Sequence, residues 1–167
     1  MTKQQIYDFL KSEGLDFEVT EHEAVFSMDE LTDTPLPYPD RDAKNLFVRD
    51  DKRNNYYLIT VRGDKRVDLK QFKKTYGTKT LSFASPDELM SFLKLTPGSV
   101  TPLGILSDEQ SLVKVFLDKE FFEGDGRIGV HPCDNTATVW LNSQDLADII
   151  KKHGNELFVV DIPVKQS

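Results

Sequence analysis

The sequence predicts an α+β fold in which a mixed, largely antiparallel sheet carries the core. Two observations lead there: strand-like runs outnumber helical ones, and several adjacent runs are joined by short polar turns rather than by helical crossovers. A third is size, since 167 residues with 38% hydrophobic content are enough to bury one sizeable core. A single domain, residues 1–167, is expected.

Thr2 is placed to cap a first helix in which Ile6, Phe9 and Leu10 fall at helical spacing, with Gly14 to end it. Leu15 to Thr20 alternates apolar and acidic residues and reads as a half-exposed strand. Ser27 and Glu30 form a capping box behind Val25 and Phe26, so a short helix should start there. The prolines of Thr34-Pro-Leu-Pro-Tyr-Pro-Asp40 stop it and form an extended loop, a wall or lid beside Lys44. Next come two apolar runs, Leu46–Val48 and Tyr56–Val61, around a turn rich in Asp and Asn. This is a β-hairpin, and its consecutive apolar residues imply that both faces are covered. Period two puts Lys44 on the face of Leu46 and Val48, and Asn45 on that of Phe47.

Asp68 caps a basic amphipathic helix through about Tyr76, stopped by Gly77, and a strand follows around Thr80–Phe83. Ser85-Pro-Asp-Glu88 is the clearest helix start in the chain, with Leu89, Phe92 and Leu93 on the apolar side. Thr96 to Gly104 is a Gly- and Pro-rich loop able to bend sharply against a ligand. Leu112–Leu117 reads as a buried strand, and Arg127–His131 with Asn135–Leu141 as a second hairpin. Ser143 is expected to cap a last helix, with Leu146, Ile149 and Ile150 facing inward, before a closing strand at Leu157–Ile162.

Several function classes are excluded. No apolar run approaches the roughly 20 residues of a membrane span, and no signal-like segment opens the chain, so a cytoplasmic location is expected. The lone Cys133 leaves no disulfide framework. A net charge of −7 argues against a sequence-blind nucleic-acid coat. The charge is uneven, however: Arg62 to Lys79 holds seven basic residues against Asp64 and Asp68, either a solvated face or a dock for one particular polyanion. Gly124-Asp-Gly-Arg-Ile-Gly129 matches a dinucleotide fingerprint in letters, but Pro132 and strand-like residues leave no helix to hold a pyrophosphate, and a glycine-rich turn is expected. His22, His131, Cys133 and His153 are too scattered for a metal site, so neither metal nor cofactor is expected. Cys133 reads as an ordinary buried thiol. Lys44 either snorkels to water from the strand end or serves a site.

The ordered runs Lys-Asn-Leu-Phe, Tyr-Tyr-Leu-Ile-Thr-Val-Arg-Gly-Asp-Lys-Arg-Val-Asp-Leu-Lys, Pro-Gly-Ser-Val-Thr-Pro-Leu-Gly and His-Pro-Cys-Asp-Asn-Thr-Ala-Thr closely resemble those of the freestanding prolyl-tRNA-editing proteins. These are relatives of the editing domain inserted in bacterial prolyl-tRNA synthetase. The likeness covers nearly the whole chain and is closest to the branch that removes alanine from mischarged proline tRNA. It implies a sheet curled into a barrel-like core with surrounding helices, and hydrolysis of the aminoacyl ester by water, with no metal and no covalent intermediate.

By the same resemblance, Lys44 matches the family's essential lysine and Asn45 its pocket neighbour. Gly98 and Pro102 match the ends of a loop, with Ser99, Val100 and Thr101 between them, whose backbone handles the ester carbonyl and the water. His131 matches a pocket histidine, with Asn135 and Thr136 near it. Lys65, Arg66, Lys70, Lys73 and Lys74 would dock the acceptor stem. The implied partners are mischarged tRNA(Pro) and prolyl-tRNA synthetase, without membrane or DNA. Three alternatives stay open: a deacylase for another small amino acid such as cysteine, a non-catalytic tRNA- or synthetase-binding module, and a small-molecule hydrolase or sensor.

Overall fold

A computed structural model of the chain describes residues 1–24 and 36–166. The capping box at Ser27 and Glu30, and the start of the proline loop, lie outside the described residues. Helix α1 (Lys3–Ser12) begins at Thr2, whose hydroxyl accepts from the Gln5 amide while the Gln5 side chain closes the box. Strand β1 (Phe17–Glu21) follows the turn at Gly14, whose φ of +71° suits a residue without a Cβ. The hairpin forms as read: β2 (Ala43–Asp50) and β3 (Tyr56–Arg62) pair antiparallel, with Asn45 opposite Thr60 and Phe47 opposite Leu58. Buried Asp50 holds its turn by accepting from the Asn54 amide and the Asn55 side chain.

Helix α2 (Leu69–Tyr76) is capped by Asp68 and ends at left-handed Gly77. Strand β4 (Leu81–Phe83) and helix α3 (Pro86–Leu93) follow, the latter with a complete Ser85/Glu88 box. The Gly- and Pro-rich loop folds into two 3-10 turns, Pro97–Ser99 and Pro102–Ser107. Strands β5 (Val113–Asp118), β6 (Arg127–Val130) and β7 (Ala137–Asn142) lead to helix α4 (Ser143–His153) and strand β8 (Leu157–Val160). One cap differs from the reading. Asn142 accepts from the amides of Gln144 and Asp145, while Ser143 is already helical and gives its hydroxyl to the Phe121 carbonyl. The asparagine one residue earlier takes the orphan amides, and the serine is drawn away by a buried acceptor.

Five strands form a mixed sheet in the order β4-β2-β3-β5-β8, with β3, β5 and β8 parallel and the β2 pairings antiparallel. The other three form an antiparallel sheet, β1-β7-β6. An isolated parallel bridge, Asp42 to Gly129, links the two. Each face of the larger sheet is covered. Phe47, Tyr56 and Leu58 join α1, α3, α4 and the smaller sheet in one core, while Val48, Tyr57, Ile59 and Val61 pack with Phe72 of α2 in another.

Gly129 lies opposite Trp140 in the β6–β7 ladder, and a Cβ on Gly129 would fall 2.3 Å from the fully buried indole. Gly129→Ala should therefore overpack the junction and cost about 1–3 kcal/mol, seen as a lower urea midpoint. An unchanged midpoint would show that the indole has room to move.

Candidate active site

The start of β2 is held from both sides. The Asp42 carbonyl accepts from the Gly63 amide, and its backbone bridges Gly129 of β6. Beyond it, Lys44 and Asn45 project to opposite faces. Lys44 pairs with Val61 on the α2 side, where burial lowers its pKa and the Arg66 charge lowers it further, partly offset by Asp64. Asn45 turns toward the larger core, where its Oδ1 accepts from the buried Thr60 hydroxyl at 2.6 Å. That bond commits the amide oxygen and leaves Nδ2 as donor.

In the Gly98–Pro102 segment the polar side chains are occupied locally. The Ser99 amide donates to the Thr96 carbonyl at 2.9 Å, and the two hydroxyls lie 3.2 Å apart. Thr101, fully buried, caps the second turn by accepting from the Leu103 amide. Ser99, Thr101 and Pro102 are buried, whereas Gly98 and Val100 keep surface. The hydroxyl residues thus hold the shape of the segment, and the glycine and valine present its backbone.

The β6–β7 turn carries the histidine. His131 Nδ1 sits 2.8 Å from the Ala137 carbonyl, which can only accept, so Nδ1 bears the hydrogen and the lone pair of the neutral ring is on Nε2. Burial pushes the His131 pKa down, and neighbouring His22 adds to this against the Ala137 hydrogen bond. The two rings meet edge to face at 6.1 Å, and His22 is itself oriented by the Glu23 carbonyl and the Thr138 hydroxyl. The Thr136 amide and hydroxyl both donate to Asp134, and the hydroxyl accepts from Lys3, an arrangement that ties the turn to α1. Asn135 lies half-buried on the same turn. Cys133 has a positive φ of 62°, and burial raises its thiol to about 11, so the thiol stays protonated near neutrality.

Ala43, Val100 and Cys133 pack against one and the same core, and the parallel bridge places Lys44 and His131 two residues beyond Asp42 and Gly129. Lys44 faces away from that core, opposite Val61, and its charged neighbours belong to the Arg62–Arg66 turn. The basic run is also divided. Lys65 and Arg66 precede α2 rather than lying on it, and Lys65 is paired with Glu120 at 2.7 Å. Lys73 donates to Thr80, while Lys70 and Lys74 are exposed on α2. The Gly124–Gly129 run leads into β6, not a helix, as the sequence indicated. Among the described residues no three His, Cys, Asp or Glu side chains gather as a metal site, and no helix is long and apolar enough to cross a membrane.

Residues 22–149 match the model of the aminoacyl-tRNA editing domain. The chain belongs to the aminoacyl-tRNA editing domain family. It is 38% identical over 160 residues to the prolyl-tRNA editing protein ProX of Acetoanaerobium sticklandii, covering 96% of this chain and 97% of that one. It is 33% identical over 147 residues to the prolyl-tRNA synthetase associated domain-containing protein 1 of Mus musculus, 86% of each chain. A multifunctional Ser/Thr-tRNA deacylase of Escherichia coli, ProXp-y, is 29% identical over 104 residues, 61% of this chain and 62% of that one. The fold is that of a solved candidate trans-editing enzyme for prolyl-tRNA synthetase, with a TM-score of 0.70 at 18% identity over 99% of this chain and 97% of that one. The α+β class and the enzyme class expected from the sequence, an aminoacyl-tRNA deacylase, are thereby borne out.

Two residues of this editing domain were not singled out for the site from the sequence. His22 showed only as a scattered histidine, and its place against His131 depends on the β1–β7 pairing. Asp42 could have been found as the one charge two residues ahead of Lys44. It is 5% exposed, its Oδ2 has no hydrogen-bond partner, and burial raises its pKa to about 7 against the one bond from the Ala43 amide. Because the folded value lies above the unfolded 3.8, this group's contribution to stability is full below pH 4 and is lost as pH rises through 7. Asp42→Asn should thus gain stability over the wild type between pH 5 and pH 8, reaching on the order of 2–4 kcal/mol in urea melts. A constant difference across that range would show that the carboxylate is solvated.

Proposed function

We propose that the protein hydrolyses the ester between a small amino acid, alanine first, and tRNA(Pro), in trans to prolyl-tRNA synthetase and in the cytoplasm where tRNA is charged. The observation that carries the reading is His131, held neutral with Nδ1–H on the Ala137 carbonyl in an editing-family chain. An aminoacyl ester is already activated, so the reaction needs a positioned water and a stabilised oxyanion more than a strong nucleophile. Water attacks the ester carbon, the carbon–oxygen bond to the ribose breaks, and the ribose oxygen takes up a proton. His131 Nε2 accepts from the water or the substrate, the Gly98 and Val100 N–H groups face the oxyanion while that of Ser99 stays on Thr96, and Asn45 Nδ2 orients the aminoacyl group. Lys44, repelled by Arg66, gains when a phosphate or hydroxyl of the terminal nucleotide arrives between them.

Size selects the amino acid. A pocket built for proline discriminates against a smaller side chain by only about 1–3 kcal/mol, and a second, smaller pocket corrects the error. A second reading widens the substrates to serine, threonine and cysteine, and the likeness to a multifunctional Ser/Thr-tRNA deacylase favours it.

Docking of the acceptor stem falls to Lys70 and Lys74 with Arg66 and Lys73, whereas Lys65 is spent on Glu120. Reversing Lys70 and Lys74 to Glu should raise KM for the tRNA about tenfold or more and flatten its salt dependence, with kcat little changed. An unaltered salt slope would place the tRNA elsewhere. For the chemistry, deacylation of alanyl-, cysteinyl-, seryl-, threonyl- and prolyl-tRNA(Pro) is measured with wild type and Lys44→Ala. Alanine release, sparing of proline and a fall of about 10²-fold or more in kcat/KM for the variant are expected. Binding of tRNA without cleavage of any ester would leave a non-catalytic module.

A further inference from the structure

A cavity of about 250 Å³ is lined by residues of α1 and α4, away from the His131 turn. Phe9, Leu15, Leu106 and Ile149 supply apolar walls, and His153 is part of the lining. The orientation of this imidazole is set from below by a buried network. The Asn155 amide nitrogen donates to Asp108 and to the Val113 carbonyl, both acceptors, which fixes its oxygen toward His153 Nδ1 at 2.7 Å. Asp108 is buried and also accepts from the Val113 amide, while Ser111 donates to the His153 carbonyl. Nδ1 therefore carries the hydrogen, and Nε2 is the polar atom of the ring outside this network.

The rim adds charge. Lys152 is paired with Glu13 at 3.1 Å, so those two cancel, leaving Asp145 and Asp148 along α4. Among the described residues Asp148 has no ion pair and accepts from the neutral amide of Gln144 at 2.9 Å. A half-buried, oriented histidine, apolar walls and two carboxylates without an ion pair among the described residues match one ligand chemistry: a compact apolar body bearing a single ammonium group. An anion meets the wrong field, and a neutral hydrocarbon leaves the carboxylates unused.

We propose that this cavity is a binding site for a small amphipathic amine, of about ten heavy atoms given a volume just under the usual ligand range. The site shares one element with the candidate active site, because Leu106 lies on the 3-10 turn that Pro102 begins. It stands independently of the deacylase reading.

The test uses the full chain and phenethylamine as probe, followed by two-dimensional NMR, with phenethyl alcohol and phenylacetate as matched neutral and anionic controls. Saturable shifts at Leu106, Ile149 and His153 are expected for the amine. Asp145→Asn with Asp148→Asn, on the accessible rim where folding is preserved, should weaken binding about fivefold or more, and added salt should do the same. Equal affinity for amine and alcohol, shifts centred on His131 instead, or a double variant that binds as the wild type does would each overturn the proposal.

Discussion

A glycine lying against an indole is the contact on which the arrangement depends. Trp140 is fully buried in the middle strand of the smaller sheet, and its ring occupies the space a side chain at Gly129 would need. That close approach keeps β6 low enough for its backbone to bridge Asp42, so that the two sheets meet at the first residues of β2. The same indole supports the proline loop. Tyr38 packs edge-on against Trp140 at 5.5 Å, Arg127 covers the Tyr38 ring at 4.2 Å, and the Tyr38 hydroxyl bonds Glu18 of β1. Arg41 reinforces the junction from the other side, donating to the carbonyls of Glu120 and Glu123 and pairing with Asp125.

This junction distributes polarity by strand alternation. Asn45 and its Thr60 partner face the core that also contains Val100 and Cys133, while Lys44, one residue earlier, faces the Arg62–Arg66 turn. An ester substrate at the mouth would find neutral donors and acceptors on one face and cations on the other. Such a division suits a molecule with a small uncharged reacting group and a polyanionic remainder. The carboxylates of an acidic chain are kept off this basic side partly by internal pairing, as Asp64 is bound to Arg62 at 2.6 Å.

Local signals were legible in the sequence and distant ones were not. The Thr2 and Ser85 boxes, the Asp68 cap with Gly77, and both hairpins are decided by residues within a few positions of one another, so pattern reading placed them. The parallel pairing of β3 with β5 and of β5 with β8 follows from packing across many intervening residues and leaves no periodic trace. The same holds for the site. Lys44, Asn45 and His131 were found through the likeness to a family, but three facts depend on tertiary register: His22 beside His131, the orphaned Asp42 carboxyl, and the neutralisation of Lys65 by Glu120. A charge run alone overstates the free cations, because it does not show which of them already have partners.

Neutral groups dominate the proposed reacting centre, and this has a chemical rationale. His131 is pressed toward its uncharged form mainly by burial, Cys133 is held as a thiol, the Ser99 hydroxyl pairs with that of Thr96, and the Thr101 hydroxyl accepts from the Leu103 amide. None of these four groups is therefore an activated nucleophile that would trap the amino acid. This agrees with the proposed attack by water, and the backbone around Gly98 has its position set by the surrounding 3-10 turns. Preorganisation of this kind is efficient for an ester whose barrier is already low, because fixed dipoles need not reorganise as the oxyanion forms. It also explains why such a site can be built from small and uncharged residues, with the one lysine set on the far face of its strand.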